Sequence, residues 1–251
     1  MRIFAIGDLH LPGGDKKPMD VFGAHWENHF ERIERDWRER VNQEDIVLIP
    51  GDISWAMQLE PALEDLRRIS LLPGKKLILR GNHDFWWSSL TQLRCSLPDN
   101  MHAVQNDAYD AGDVVFCGSR GWTLPQAGNI EMGAGQAASQ DEKIYRREAM
   151  RLEMSLKAAK RLAGDRPIFA MMHYPPLLPE YARGGTEFTR LLTQYGVVRC
   201  VYGHLHGPSV QRGYNGLYNG VQYDLVSCDA LGFEVKDVTP AGIAKEETKK
   251  E

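Results

Sequence analysis

Five clusters of metal-ligand residue types punctuate the sequence, each directly after an apolar run. They are Asp8-Leu9-His10, Gly51-Asp52, Gly81-Asn82-His83-Asp84, His173 and Gly203-His204-Leu205-His206. Imidazole, carboxylate and amide oxygen without thiolate form a donor set for Mn, Fe or Zn in a reactive centre, not for a structural zinc knot. Asp8, His10, Asp52, Asn82, His173, His204 and His206 make seven donors. Seven is too many for one divalent ion and suits two ions that share a carboxylate and keep positions for water or substrate. Two such ions, roughly 3.5–4 Å apart, clamp a phosphoryl group and generate hydroxide at neutral pH. The chemistry indicated is hydrolysis of a phosphate ester. Taken singly, each cluster has a plainer reading: Asp52 as a helix N-cap, Asn82 as a turn residue, a lone histidine as a hydrogen-bonded rim group. Their shared position after strands decides against that. His25, His29 and His102 lack such neighbours and read as structural or solvated.

The elements that must position these clusters alternate in the first half. Apolar runs at 2–7, 46–50 and 76–79 read as buried strands. Between them, Val21, Phe22, Trp26, Phe30, Ile33, Trp37 and Val41 recur as one face of a long helix, and 61–69 reads as a second helix. Strands separated by helices imply a parallel sheet with crossover connections. Further on, 114–118, 168–172 and 197–202 read as strands, and 187–195 as a helix. Residues 141–163 read as a long helix with Ile144, Met150, Met154 and Leu162 among its apolar positions, and 209–235 as an antiparallel meander. In an open α/β sheet the carboxyl ends of the strands form the ligand edge, so the five clusters converge in space.

Composition bounds the partners. A chain of 251 residues with 43% hydrophobic and 25% charged residues fits one large globular domain or two small ones, and excludes collagen-like, coiled-coil and disordered classes. A net charge of −4 recruits neither nucleic acid nor anionic lipid in bulk. No apolar run approaches the roughly 20 residues that cross a bilayer. Met1-Arg2-Ile3 leads straight into a strand-like run, and the expectation is a cytoplasmic protein. Cys95, Cys117, Cys200 and Cys228 are scattered, without a C-x-x-C pair, and read as buried free thiols. No linker divides the chain: we expect one domain over 1–236 and a charged tail over 237–251.

In order and type, Asp8-x-His10, Gly51-Asp52, Gly81-Asn82-His83-Asp84, His173 and Gly203-His204-x-His206 resemble the motif set of the calcineurin-like metallophosphoesterase superfamily, over roughly residues 1–210. The resemblance implies an α/β fold: a four-layer α/β/β/α sandwich with two mixed central sheets and two divalent metal ions (Mn, Fe or Zn) at the loop edge. It implies that Asp8, His10, Asp52 and His206 hold one ion, that Asp52, Asn82, His173 and His204 hold the other, and that Asp52 bridges them. A metal-bridging hydroxide would attack phosphorus, His83 would protonate the leaving oxygen, and Asp84 would orient His83.

Two departures narrow the substrate. Protein Ser/Thr phosphatases of the superfamily carry an Asp-Arg pair after Gly-Asp, whereas this chain reads Gly51-Asp52-Ile53-Ser54-Trp55-Ala56, and its third motif ends in Asp84 rather than Glu. The chain looks more like the small bacterial-type phosphoesterases, so the expected substrate is a small phosphodiester or nucleotide. A phosphomonoester or phosphoprotein is the alternative, and a non-catalytic scaffold is disfavoured because none of the seven ligands is lost. Trp55, Trp86, Trp87 and Tyr174 beside the motifs either stack a planar group or pack beneath the loops. Arg80, Arg120 and Arg183 are candidate phosphate clamps. The long segments 119–140 and 174–186 are candidate binding walls.

Overall fold

Strands that are apolar on both faces need cover on both sides, and alternation along each strand assigns the faces. The computed structural model describes residues 1–14, 19–125 and 139–240. β1 (Ile3–Ala5), β2 (Ile46–Ile49), β3 (Lys75–Ile78) and β4 (Met101–Ala103) run parallel, and β11 (Lys236–Asp237) pairs antiparallel with β1 to give the order β11-β1-β2-β3-β4. Ile3, Ala5, Ile46, Leu48 and Leu77 point into a core shared with the second sheet. Phe4, Val47, Ile49 and Ile78 point the other way, onto α1 (His29–Arg40), α2 (Leu59–Ser70) and α3 (Leu90–Ser96) through Phe30, Ile33, Trp37, Leu63, Leu66, Ile69 and Leu93.

The second sheet comprises β5 (Ala108–Asp110), β6 (Val115–Ser119), β7 (Ile168–Met172), β8 (Val197–Tyr202), β9 (Gly216–Tyr218) and β10 (Val221–Leu225). Its order is β5-β6-β7-β8-β10-β9, parallel in the centre and antiparallel at both edges. Phe116, Phe169, Met171 and Val201 meet the first sheet. Val115, Cys117, Ile168, Ala170, Cys200 and Tyr202 meet α4 (Gln140–Ala163) and α5 (Glu187–Gln194). The result is the expected α/β/β/α sandwich with two mixed sheets. No helix among the described residues is long and apolar enough to cross a membrane.

Several local expectations are corrected. The helix expected from Val21 breaks into two 3-10 turns before α1, because Gly23 takes φ 128° and Asn28 takes φ 50°. Val21 and Phe22 are consequently exposed. On α4 the buried face is Tyr145, Ala149, Leu152, Ser155, Leu156 and Ala159, while Met150, Met154 and Leu162 face outward. Small residues there admit the sheet closely, and the Ser155 hydroxyl accepts a hydrogen bond from Gly118 N at 2.9 Å. The expected meander contains the antiparallel β9–β10 hairpin, but β10 itself pairs in parallel with β8. α3, β4 and β5 are too short to show a period and were not expected. The chain stays in the sheet past residue 236: β11 includes Asp237, Val238 is buried, and Thr239 Oγ1 accepts from Ile3 N. Residues 126–138 of the long segment 119–140, and 241–251 of the expected tail, lie outside the described residues. Cys117, Cys200 and Cys228 are buried free thiols, whereas Cys95 is exposed.

Lys76 is a cation in the apolar layer. It is buried on the helix side of β3, and its Nζ donates to the carbonyl oxygens of Leu72, Gly74 (2.7 Å) and Ser70 (3.3 Å), tying down the end of α2 and the turn after it. Lys76→Ala leaves those carbonyls short of a donor and opens a cavity. We expect a loss of about 2–4 kcal/mol in unfolding free energy, read by urea titration.

Candidate metal centre

The loops that carry the clusters are laced to one another beyond the strand ends. Asp8 N donates to Gly51 O and His10 N to Asp52 O, both at 3.0 Å, and Gly203 N donates to His173 O at 3.2 Å. The backbone twists to deliver side chains inward: Asp8, His10, Asp52 and His204 all have positive φ, between 47° and 73°. Non-glycine residues there store roughly 1–3 kcal/mol of strain each, and such strain collects at functional sites. Two glycines are forced by crowding. A Cβ on Gly81 would lie 2.1 Å from Asp52 Oδ1, and one on Gly203 would lie 2.3 Å from Asp8 Oδ2. The glycines of the third and fifth clusters therefore make room for the carboxylates of the first and second.

The seven predicted donors are brought together. Asp8, His10 and His206 present ligand atoms within 4.8 Å of one another, and so do Asp52, His173 and His204. Asn82 Oδ1 joins the second group, 2.6 Å from His173 Nε2 and 2.9 Å from His204 Nδ1. Asp52 Oδ2 stands between the groups, 4.0 Å from His10 Nε2 and 3.5 Å from His173 Nε2. The Nε2 atoms of His10 and His206 face each other at 3.3 Å. Facing lone pairs from a carboxylate-imidazole-amide set fit two divalent cations.

The electrostatics agree. Burial presses His10 down to about 3 and His204 to about 4, and it lowers His173 as well, so these imidazoles are neutral and free to donate lone pairs. Burial and then the Asp8 charge push Asp52 up to about 8. For Asp8 burial acts upward, but the hydrogen bond and charge of His206 outweigh it and hold the carboxyl far below the usual range. For His206 burial acts downward, yet hydrogen bonds to Asp229 and Asp8 raise it to about 10. The protein alone thus keeps protons on Asp52 and His206, where bound cations would displace them.

His83 sits beside this array, outside both groups. Its ring is half-buried, centred 4.4 Å from Trp55 and 5.8 Å from His10, and its backbone N donates to Asp52 Oδ1 at 2.8 Å. Burial, together with the charge of His206, lowers its pKa. The expected role of Asp84 is corrected. Its buried carboxylate accepts from the backbone N–H groups of Gly81, Asp52, Ile53 and Ser54 and from Trp86 Nε1, at 2.7–3.3 Å, rather than from the His83 ring. Asp84 fastens the second cluster to the third. Sequence reading missed Asp229, whose Oδ1 is 2.9 Å from His206 Nδ1 and whose Oδ2 accepts from Gly207 N. No cluster flags it, because it reaches the site from a loop after β10.

The aromatic neighbours mostly pack. Trp86 and Trp87 are core residues, Trp55 stacks on the His10 ring at 4.8 Å, and Tyr174 lies 4.2 Å from the His204 ring. Arg120 lies at the rim and its carbonyl accepts from His173 N and Tyr174 N, whereas Arg183 is exposed on the loop after β7.

Two substitutions test these assignments. Asp229→Asn removes the carboxylate that orients His206, and metal-titration calorimetry should show affinity weakened about 10- to 100-fold. Asp84→Asn turns an amide donor toward buried N–H groups, and denaturant unfolding should show a loss of about 2–4 kcal/mol.

Comparison with known proteins places this geometry. The model of the calcineurin-like phosphoesterase family matches residues 1–208. No curated protein matches the chain. Among solved structures, TT1561 of Thermus thermophilus is similar with a TM-score of 0.57 at 14% identity, covering 95% of this chain and 98% of that one. Phosphopantetheinyl hydrolase (PptH) from Mycobacterium tuberculosis is similar with a TM-score of 0.53 at 16% identity, covering 90% of this chain and 88% of that one. Both likenesses are of fold. With the family match running from the first strand past both histidines of the last cluster, the chain belongs to the calcineurin-like phosphoesterases and is a metal-dependent phosphoester hydrolase.

Proposed function

We propose that the protein hydrolyses a small phosphodiester or nucleotide at a dinuclear centre. The observation that carries the reading is the position of Asp52, whose Oδ2 lies between the two donor groups, near both His10 and His173. Asp8, His10, Asp52 and His206 would hold one ion and Asp52, Asn82, His173 and His204 the other, with Mn, Fe and Zn all suited to these donors. Such ions, when bound, polarise phosphoryl oxygens and make water a nucleophile at neutral pH.

The chain's own groups do the rest. Asn82 and His204 pin one side of the site. His83, beside the donors and not among them, is placed to give a proton to the leaving oxygen, and its packing against Trp55 limits how far the ring can turn. Asp84 contributes by holding the loops in register. The missing Asp-Arg pair after Gly51-Asp52 favours a small substrate over a phosphoprotein.

Hydrolysis of bis-p-nitrophenyl phosphate and p-nitrophenyl phosphate, with Mn2+ and with EDTA, checks this directly. We expect turnover with metal, none with chelator, and a preference for the diester. His83→Ala should lower kcat by about 10²–10⁴ while metal content stays at the wild-type level. Wild-type rates in that variant would remove His83 from the chemistry, and a preference for the monoester would redirect the search to phosphomonoesters, phosphoproteins included.

A further inference from the structure

The outer face of α4 carries a charge that the chain as a whole conceals. The helix holds seven Lys and Arg against four Asp and Glu, so a net charge of +3 sits on one element of a chain whose total is −4. Its acids are already engaged. Glu148 is buried against Arg151, the half-buried Glu142 and Glu153 pair with Arg146 and Lys157, and Asp141 accepts from Trp122 Nε1. Lys143, Arg147, Lys160 and Arg161 are exposed and enter no ion pair among the described residues.

Helical geometry lines these cations up. At about 100° per residue, the direction opposite the buried Tyr145, Leu152 and Ala159 is taken by Lys143, Arg147, Met150, Met154, Lys157 and Arg161. That outermost ridge contains no carboxylate, and its middle is apolar: Met150 is 60% exposed and Met154 55%. A second copy of the chain does not suit it. Antiparallel pairing of two such helices sets Lys143 beside Arg161, parallel pairing sets each beside its own copy, and both arrangements repel. Single-stranded nucleic acid calls for aromatic rings on which bases stack, and the ridge has none. Basic side chains that reach for phosphates while apolar ones between them enter the acyl boundary are the pattern of a lipid interface.

We propose that the outer face of α4 docks the protein on an anionic lipid bilayer, with the helix lying along the headgroups. Each Lys or Arg near such a surface multiplies binding about fivefold, so the four free cations together supply about several hundredfold. The acidic remainder of the chain does not cancel this. The opposite helical layer lies beyond two sheets stacked about 10 Å apart, and the Debye length at physiological salt is about 8 Å. Docking also brings the donor loops beside the bilayer, because α4 begins at their end of the fold. There Asp141 holds Trp122, Trp122 lies 5.3 Å from Tyr174, and Tyr174 lies 4.2 Å from His204.

Vesicle sedimentation tests the assignment. Vesicles of phosphatidylcholine alone are compared with vesicles containing about one third phosphatidylglycerol, at low and at physiological salt. We expect binding to the anionic vesicles to be at least about tenfold tighter and to weaken as salt rises. Arg147→Gln combined with Arg161→Gln should weaken it about 20-fold. Arg35→Gln combined with Arg38→Gln, at exposed positions of α1 in the opposite layer, removes the same charge and should leave binding within about twofold of wild type. Met150→Ser combined with Met154→Ser should lower binding and leave a remainder that high salt abolishes. All these positions are exposed, so thermal melting followed by circular dichroism should match the wild type. No binding to anionic vesicles, equal binding to both kinds, or equal losses from the α1 and α4 pairs overturns the proposal. Uptake of polyglutamate or single-stranded RNA without uptake of vesicles overturns it as well and reassigns the face to an acidic macromolecule.

Discussion

Electron pairs that repel one another must be held face to face in a buried space. Asp8 and Asp52 are almost wholly buried, and the imidazole nitrogens of His10, His173, His204 and His206 point at them and at each other. In the protein alone only the protons on Asp52 and His206 ease that arrangement, because burial of carboxylates costs several kcal/mol unless a cation or proton answers them. The fold forces it nevertheless. Left-handed backbone at four of the donors, glycines where a Cβ would strike a carboxylate, and loop-to-loop hydrogen bonds all resist relaxation. The cost falls due in the metal-free chain and is recovered on binding cations, which is how metal affinity and local order become one quantity.

The two sheets serve this constraint by their direction. Parallel strands place all their carboxyl ends at one edge, so clusters from distant parts of the chain meet without long excursions. The antiparallel strands β5, β9 and β11 stand only at sheet edges, away from the central strands that lead into donor loops. Asp84 shows how finely the edge is set: one carboxylate with two oxygens gathers five N–H groups from two loops, and that fixes the distance between Asp52 and Asn82.

The legible parts of this architecture were those with a repeated or local signal. The runs Ile168–Met172 and Val197–Tyr202 are short, apolar and bounded, and they fold as read. The seven donors were visible because each follows a strand. What escaped had no such signature. The buried face of α4 mixes Leu152 and Leu156 with alanine, serine and Glu148, which blur its apolar stripe, so the outward methionines suggested the wrong side. Asp229 and the true partners of Asp84 depend on tertiary approach between loops, and sequence spacing carries no trace of it. Asp84 in particular stands next to His83 in the chain, and adjacency suggested a pairing that the turn directs elsewhere.

Strand β11 lies beside β1, more than two hundred residues earlier in the chain, with Val238 N bonded to Ile3 O and Ile3 N to Thr239 Oγ1. Ribosomes add roughly 5–20 residues per second, so β1 emerges first and waits on the order of ten seconds or more for its outer neighbour. Through that interval one side of β1 shows unpaired backbone groups, the kind of edge that recruits other strands. Asp8 and His10 hang from the end of the same strand. Among the described residues the last strand is therefore the latch for the first, and a nascent chain stalled before it holds an open seam beside two of the seven candidate metal ligands.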